Sequence, residues 1–150
     1  LICNLKNQKW KYGLVSQKRW FKNNVKNDDI HNLIFYNNKL IGYTLLRKRL
    51  LIENSKNKKY FLFDTIIIDK SYRGKNLSQE LMTLNNKIIK KNKLIAFLVC
   101  EKNFVQYYKR YGWKILNKSS YVIKDYFGIK RGLTYNFNKK KTKLIFFVGK

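Results

Sequence analysis

An almost uninterrupted apolar segment, followed by a glycine turn and an amphipathic segment, places the strongest constraint on the fold of this chain. The segment KYFLFDTIIID is apolar from 60 to 68 except at Asp64 and Thr65, as expected of a central strand covered on both faces. After YRGKN, apolar residues recur at helical intervals at Leu77, Leu81, Leu84 and Ile88. We therefore expect a buried strand that leads through a turn at Gly74 into a helix.

The other patterns predict short helices and strands around this unit. SQKRWFKNNV can place Trp20, Phe21 and Val25 on one helical face, and two strands near 30–36 and 39–52 form a hairpin at YNNK. Further along, LIAFLVC predicts a buried strand, FVQYYKRYG a helix that ends near Gly112, and WKILNKSSYVIK and RGLTYNFN antiparallel strands. The predicted order is α-β-β-β-α-β-α-β-β, an α/β fold with a mixed sheet and helices on its faces.

The length of the chain indicates how many domains it forms, and its charge indicates which kinds of partner it would attract. The 150 residues fit a single domain, expected over residues 1–150 with a basic C-terminal extension from about residue 138. A net charge of +26 would attract nucleic acid, acidic membranes or small anions. Alternatively, the charge reflects a composition rich in Lys, Asn and Ile throughout, without proline. Because the lysines are spread along the chain, charge alone assigns no function.

The numbers of cysteine and histidine residues and the lengths of the apolar stretches argue against several kinds of site and against a membrane location. Cys3 and Cys100 are too few for a disulfide framework and lack metal-ligand spacing, and His31 is the one histidine. We expect neither a metal site nor a Ser-His-Asp triad. No apolar stretch approaches the roughly 18–20 residues that span a bilayer, so we expect a cytoplasmic protein without a membrane partner.

The glycine turn has a chemical use as well as a structural one. A turn that enters a helix leaves backbone N–H groups unpaired at the positive end of the helix dipole, and such a nest binds phosphate. Gly74 would let a ligand approach the backbone, and Arg73 and Lys75 would add mobile positive charge. The alternative is a purely structural turn, since glycine is common before helices.

The surrounding sequence makes the phosphate interpretation more specific. IIIDKSYRGKNLSQELM and the later LVCEKNFVQYYKRYGWKIL resemble the GNAT superfamily of N-acetyltransferases, over roughly residues 17–135. That family has a strand, then Arg or Gln-x-x-Gly-x-Gly/Ala, then a helix, and a later helix ending Tyr-x-x-x-Gly-Phe/Trp. Here the first motif begins at Arg73, and the second comprises Tyr108, Gly112 and Trp113. The resemblance implies a mixed central sheet flanked by helices and acyl transfer from acetyl-CoA.

Carried over residue by residue, the resemblance implies where acetyl-CoA binds. Its pyrophosphate would lie on the amides of residues 74–78, and its pantetheine would pair with strand backbone at 66–68. Asn76 and Ser78 replace the family's paired glycines, and the family's asparagine falls on Glu101, with Asn103 close by but offset. The implied cofactor-binding residues are Ile66, Ile67, Ile68, Arg73, Gly74, Lys75, Asn76, Leu77, Ser78 and Asn103.

In this family an amine attacks the thioester directly, so a proton acceptor and a proton donor are needed. Tyr108 matches the family's tyrosine acid, and its alternative role is a core aromatic. Asp64 is the acid within the apolar strand and a candidate base, or else an Asp that hydrogen-bonds a neighbouring hairpin or lysine. His31 is a second candidate base. Cys100 ends a buried strand, where packing is the simpler role.

These expectations combine into an acyl-CoA-dependent N-acetyltransferase, a monomer or homodimer, that acts on a primary amine of a small molecule such as an amino sugar or aminoglycoside. A basic surface mildly favours acceptors that carry phosphate. The alternative is a non-catalytic basic nucleic-acid or ribosome-binding module on the same fold. Its weakness is that the aromatics lie mostly within apolar runs, whereas a stacking platform alternates them with exposed basic residues. We therefore expect no specific nucleic-acid partner.

Overall fold

The computed structural model describes residues 1–53, 55–115, 122–124, 130–132 and 141–146. The chain divides into two compact units. The first comprises Leu1–Arg47 and Asp64–Asn85, and the second comprises Lys48–Phe63 and Asn86–Lys150. The prediction of one domain over residues 1–150 stays a prediction.

Helices and strands follow the predicted order as far as the helix in FVQYYKRYG, with one helix added before the first predicted one; after that helix the described residues form four short strands where two are predicted. The helices are α1 (Ile2–Asn7), α2 (Leu14–Asn24), α3 (Leu77–Asn92) and α4 (Val105–Lys109), with 3-10 turns at Lys70–Tyr72 and Lys102–Phe104. The strands are β1 (Ile30–Tyr36), β2 (Lys39–Glu53), β3 (Lys56–Ile68), β4 (Ile95–Glu101), β5 (Lys114–Ile115), β6 (Val122–Lys124), β7 (Lys130–Gly132) and β8 (Lys141–Phe146). No helix in the described part of the chain is long and apolar enough to cross a membrane.

The strands form a mixed sheet, which confirms the predicted α/β class. Among the described residues, eight strands form the sheet. Seven are hydrogen-bonded in the order β5-β8-β4-β3-β2-β6-β7, and the eighth, β1, pairs with β2. The β1 and β2 pair is antiparallel, whereas β3 and β4 are parallel and are joined through α3. A parallel pair needs such a crossover, because its strands start at the same edge of the sheet.

The hairpin between β1 and β2 follows from two asparagines. Asn37 and Asn38 have φ of 45° and 59°, and Tyr36 pairs with Lys39 across the turn. Positive φ at both central residues is typical of the type I′ turn, whose twist matches that of the flanking strands. Asparagine tolerates this backbone region better than most residues. The predicted hairpin at YNNK is therefore confirmed.

The core of the first unit joins both N-terminal helices to the sheet. Its buried members are Leu5, Leu40, Tyr43, Leu45 and Ile67, and half-buried side chains pack against them at Ile2, Trp10, Trp20 and Val25. Trp20, in α2, and Val25, directly after it, thus pack against the core, as predicted. The third predicted member of that face, Phe21, is half-buried, and its ring centroid lies 5.7 Å from that of His31. Helix α1, which supplies Leu5, is an addition to the predicted order.

Helix α3 forms where predicted, but its buried face is rotated from the one its leucines suggest. The buried residues are Leu81, Met82, Asn85 and Ile89, while Leu84 is 43% exposed. Asn85 can be buried because its amide group donates to the Thr44 hydroxyl at 2.8 Å and accepts from Asn32 at 3.1 Å. Burying an amide whose hydrogen bonds are all made in this way costs little free energy, so Asn85 can occupy the core face in place of a leucine.

The second unit has its own apolar cluster and a strand that the sequence analysis does not predict. Leu51, Tyr60 and Phe97 are buried, with Leu62 and Ile95 against them. Strand β8 pairs antiparallel with β4 along the whole of Ala96–Glu101, although the sequence analysis places a basic extension there. The antiparallel pair β6 and β7 confirms parts of the two predicted C-terminal strands. The first of these, predicted as one strand over WKILNKSSYVIK, also contains β5, a separate strand that pairs with β8. Residues 116–121 and 133–138 lie outside the described residues.

Candidate functional site

The turn between β3 and α3 has the backbone of an anion-binding nest. Gly74 has φ of 80°, and Asn76 has φ of 57°, in the left-handed region. A Cβ added at Gly74 would meet no atom within 4 Å, so its outer side is open to a ligand. The helix bonds of α3 start with the Gln79 amide, which donates to the Asn76 carbonyl at 2.8 Å. The preceding amides have no helical acceptor and are available to an anion.

Asp69 fixes the start of this turn. Its carboxylate accepts from the Gln8 side-chain amide at 3.0 Å and from the Ser71 backbone amide at 2.9 Å, and the residue is only 2% exposed. It also forms an ion pair with Lys39 at 3.0 Å. These interactions, led by the Gln8 hydrogen bond, lower the pKa of Asp69 to about 2. The carboxylate therefore stays charged and orders the 3-10 turn Lys70–Tyr72 that leads to Gly74.

The side chain of Arg73 differs from the expectation of a mobile charge. Its Nε donates to the Ile68 carbonyl at 3.3 Å, which folds the guanidinium back onto the end of β3. Lys75, by contrast, is exposed, and its ammonium lies 5.3 Å from the Tyr72 ring centroid. Of the predicted strand contacts, Ile67 and Ile68 are buried and Ile66 is half-buried. Arg73 thus helps to shape the turn, and Lys75 is the cation that faces outward.

Asp64 lies in β3 and forms an ion pair across to β2. Its Oδ2 accepts from Arg47 Nη1 at 2.9 Å, and both side chains are mostly buried. The Arg47 guanidinium also lies over the Trp20 ring, 5.5 Å from its centroid. Lys6, 6% exposed, lies in the same electrostatic environment: burial lowers its pKa, and the charge of Asp64 partly offsets that effect. Asp64 is therefore hydrogen-bonded to a strand of the β1–β2 hairpin, as the alternative to a catalytic role predicts, although its partner is an arginine.

His31 is held in place by Tyr43 of the neighbouring strand. Its Nδ1 lies 2.9 Å from the Tyr43 hydroxyl, and its ring stacks on Tyr43 with centroids 5.8 Å apart. Burial lowers the pKa of His31, with the charge of Asp29 acting in the opposite direction. The imidazole is thus neutral at physiological pH and is engaged with a tyrosine, which weakens its case as the base.

Tyr108 lies in an aromatic cluster of the second unit. Its ring makes edge contacts with Phe63 and Trp113, with centroids 6.3 and 6.5 Å away, and with Tyr107 at 5.2 Å. Burial raises the pKa of Tyr108 well above its ordinary value, and Cys100 adds to the shift. The phenol therefore keeps its proton at neutral pH, as a proton donor must.

The end of helix α4 explains the glycine and tryptophan that follow Tyr108. Gly112 has φ of 83°, and the Trp113 amide donates back to the Tyr108 carbonyl at 3.3 Å. Glycine is favoured at this helix-ending position because it has no Cβ penalty in the left-handed region. Trp113 is then 1% exposed and stacks on Phe63, with centroids 5.9 Å apart. These residues fix the ring of Tyr108 between core aromatics.

Three further residues of the sequence analysis lie at the end of β4 or in the 3-10 turn directly after it. Cys100 is 8% exposed, and burial raises the pKa of its thiol to about 11, so it stays protonated and fits a packing role. Glu101 precedes the 3-10 turn without a side-chain capping hydrogen bond, and Asn103 is exposed within that turn.

The predicted site residues fall in both units. Asp64 and the turn belong to the first unit, and Tyr108 and Asn103 belong to the second. Sequence reasoning missed Asp69 and Gln8. An aspartate two residues before Ser71, at the end of a strand, is a recognisable turn-capping signal for the first. Gln8 carries no such signal, since its partner is 61 residues away.

Comparisons with known proteins agree with this geometry. The sequence matches the family described as acetyltransferase (GNAT) domain over residues 3–124. An aminoglycoside 6′-N-acetyltransferase complexed with coenzyme A is similar, with a TM-score of 0.66 and 11% identity over 99% of this chain and 89% of that one. PaiA N-acetyltransferase from Thermoplasma acidophilum, in complex with coenzyme A, has a TM-score of 0.52 and 17% identity, with coverages of 94% and 72%.

A third solved structure extends the range of similar proteins. The ribosomal-protein-S18-alanine N-acetyltransferase from Escherichia coli has a TM-score of 0.60 and 11% identity over 89% of this chain and 77% of that one. Among proteins with curated descriptions, none is significantly similar in sequence. At identities this low, the structural similarity establishes a shared fold and nothing more. The match to the family, by contrast, covers most of the chain. The chain therefore belongs to the GNAT acetyltransferase domain family.

Proposed function

We propose that this chain is an acyl-CoA-dependent N-acetyltransferase that moves an acetyl group from acetyl-CoA to a primary amine of a small molecule, such as an amino sugar or an aminoglycoside. The observation that carries the proposal is the turn at Gly74. Its positive φ, its open outer side and the free amides at the start of α3 suit a pyrophosphate. Two of the similar proteins were solved with coenzyme A.

The fit of acetyl-CoA to the first unit extends from the turn into strand β3. The pyrophosphate would be held by the amides of residues 74–78, with Lys75 as the outward cation. The pantetheine would pair with the backbone of Ile66–Ile68, in the manner of an added strand. In support, the described register between β3 and β4 ends at Phe63 and Leu98, before that segment begins.

The proposed chemistry needs one proton donor and one proton acceptor. The amine nitrogen bonds to the thioester carbon, the carbon–sulfur bond breaks, and the sulfur takes a proton while the new ammonium loses one. Tyr108 is our proposed donor, because burial keeps its phenol protonated. Asp64 is our proposed acceptor. Its ion pair with Arg47 would hold one carboxylate oxygen in place and orient the other.

Acetyl transfer can be tested by following thiol release from acetyl-CoA with a panel of amines. The panel should contain glucosamine, glucosamine 6-phosphate, kanamycin, spermidine and a peptide with a free N-terminus. We expect turnover with at least one sugar amine, and faster turnover with the phosphorylated sugar if the basic surface attracts its acceptor. Turnover with the peptide alone would support acetyl transfer and reject the small-molecule acceptor. No thiol release with any amine would count against the enzyme.

A further inference from the structure

The second unit carries most of the positive charge of the protein. It contains 22 of the 34 Lys and Arg residues but only 3 of the 8 Asp and Glu residues. Within this unit, two short segments are rich in lysine, one at the start of β3 and one around the end of α3. Their lysines are all exposed and form what we call the lysine cluster: Lys56, Lys58, Lys59, Lys87, Lys90, Lys91 and Lys93.

The fold brings these two segments together, although they are far apart in the sequence. Strands β3 and β4 are parallel neighbours, and their register starts with Tyr60 opposite Ile95. Helix α3 ends at Asn92, directly before β4. Because paired strands lie about 4.8 Å apart, Lys59 and Lys93 come just before the paired residues at the same edge of the sheet. Lysines that are spread along the sequence are therefore concentrated at one edge.

No acidic residue lies in either segment. Residues 54–63 and 81–100 contain neither Asp nor Glu. Lys87 lies three and four residues before Lys90 and Lys91 on α3, a spacing at which like charges repel each other. The negative end of the helix dipole offsets part of this repulsion. No ion pair with another described residue is formed by six members of the cluster: Lys56, Lys59, Lys87, Lys90, Lys91 and Lys93.

Lys93 occupies a backbone position that does not favour lysine. Its φ is 52°, and its amide donates to the Lys90 carbonyl at 3.0 Å, which ends the helix. The left-handed backbone at this position favours Gly or Asn, because most side chains are strained there. The end of the helix thus does not call for a lysine, and the property that Lys93 contributes is its charge.

From this arrangement we propose that the lysine cluster binds the phosphate backbone of double-stranded nucleic acid without reading its sequence. Lysines that pair with phosphates gain affinity by releasing counterions from the duplex. Among residues 55–63 and 86–94, no large hydrophobic side chain is exposed. The cluster therefore lacks the aromatic faces that bind single strands and the apolar groups that enter a lipid surface. The proposal does not depend on acetyl transfer.

The test is fluorescence anisotropy of the full chain with DNA and RNA duplexes of about 20 base pairs, in two unrelated sequences, from about 50 to about 200 mM salt. The variants are Lys87→Gln with Lys91→Gln, and Lys93→Asn. The matched control is Lys18→Gln with Lys22→Gln, which removes the same charge from an exposed pair at the same spacing on α2, in the first unit. Thermal melts check that each variant is folded.

We expect the wild type to bind both sequences alike, more tightly than single strands of the same length, with an affinity that falls steeply as salt rises. The slope of log affinity against log salt should decrease by about 2 in the α3 double variant and by about 1 in Lys93→Asn. Each lost contact then weakens binding about 8-fold at about 0.1 M salt. The α2 control should keep the slope of the wild type.

Lys93→Asn separates binding from stability. Asparagine tolerates the left-handed backbone, so this variant should melt at or above the melting temperature of the wild type while it binds the duplex more weakly. A loss of affinity in this variant therefore cannot come from unfolding. The rise in melting temperature that acetyl-CoA produces should be the same in the cluster variants and in the wild type, so failure of the proposed acetyl transfer leaves this test intact.

The proposal is overturned if the wild type binds no duplex at about 50 mM salt, or if the α2 control loses as much slope as the α3 double variant, which would assign binding to the overall charge. Tighter binding of single strands than of duplexes would also reject it. Vesicles that contain phosphatidylserine are the last probe. If they are bound through the cluster and duplexes are not, the partner is a lipid surface and the proposal is wrong.

Discussion

The side chain of Gln8 in the segment after α1 and the carboxylate of Asp69 after β3 are joined by a hydrogen bond of 3.0 Å, across 61 residues of sequence. The contact is reciprocal, because the Lys70 amide donates back to the Gln8 side-chain oxygen at 3.2 Å. The N-terminal segment is thereby tied to the turn that we propose holds the pyrophosphate. Stability of the turn should depend on a residue outside it.

Replacing Gln8 with alanine should lower the free energy of unfolding by about 1–2 kcal/mol, because a buried carboxylate loses a hydrogen-bond partner. Asn4→Ala is the matched control: Asn4 is an exposed amide in α1, and its loss should change stability by less than about 0.5 kcal/mol. Urea denaturation measures both. Equal effects of the two substitutions would show that the contact with Asp69 contributes nothing of its own.

The charge of Asp69 should stabilise the protein in a defined pH range. Its pKa is lowered from 3.8 to about 2 on folding, so its contribution is complete above pH 3.8 and is lost as the pH falls towards 2. Asp69→Asn should therefore melt below the wild type at about pH 6, and the gap should narrow between about pH 4 and about pH 2. Thermal melts across this range check the prediction. If the difference in melting temperature between the wild type and Asp69→Asn does not depend on pH, Asp69 stabilises the protein through packing and not through its charge.

Tyr108→Phe tests the proton donor with minimal structural change. The phenylalanine keeps the ring contacts with Phe63 and Trp113 and removes the hydroxyl alone. We expect turnover to fall roughly 10- to 1,000-fold with little change in stability or coenzyme A affinity. Tyr111→Phe, a half-buried tyrosine of the same segment, is the control and should retain turnover. Near-normal turnover in Tyr108→Phe would mean that the thiolate leaves without this proton.

The acidic limb of the rate profile tests the proton acceptor. If Asp64 is the base, Asp64→Asn removes that limb from the dependence of kcat/KM on pH, because the limb reports deprotonation of the base. His31→Gln should leave the acidic limb in place, since burial lowers the pKa of His31 and its ring is hydrogen-bonded to the Tyr43 hydroxyl. If the limb is lost in His31→Gln and retained in Asp64→Asn, the base is His31. An unchanged limb in both variants would restrict Asp64 to its ion pair with Arg47.

Local signals in the sequence were sufficient for the elements that depend on local chemistry. The two asparagines of the β1–β2 turn, the apolar run of β3 and the glycine after α4 each carry a backbone preference within a few residues. The motifs around Gly74 and Tyr108 indicated the family for the same reason. Asn76 indeed has the left-handed backbone that its position in the turn requires.

Contacts that depend on distant residues could not be read from the sequence. Asn85 lies on the buried face of α3 because Asn32 and Thr44 satisfy its amide, whereas Leu84 remains exposed. Strand β8 lies in a lysine-rich segment, where only pairing with β4 shows that it is a strand. The ion pair of Arg47 with Asp64 likewise joins two strands whose relative register is set by the fold.

The central claim, that the turn at Gly74 binds the pyrophosphate of acetyl-CoA, is tested most directly by thermal melts with and without millimolar acetyl-CoA. Gly74→Val is compared with Gly13→Val, because Gly13 has nearly the same φ, 79°, and the same open space around its missing Cβ. Both substitutions should lower the melting temperature through backbone strain. We predict that acetyl-CoA raises the melting temperature of the wild type and of Gly13→Val by several degrees and does not raise that of Gly74→Val. No shift in the wild type, or a full shift in Gly74→Val, would contradict the claim.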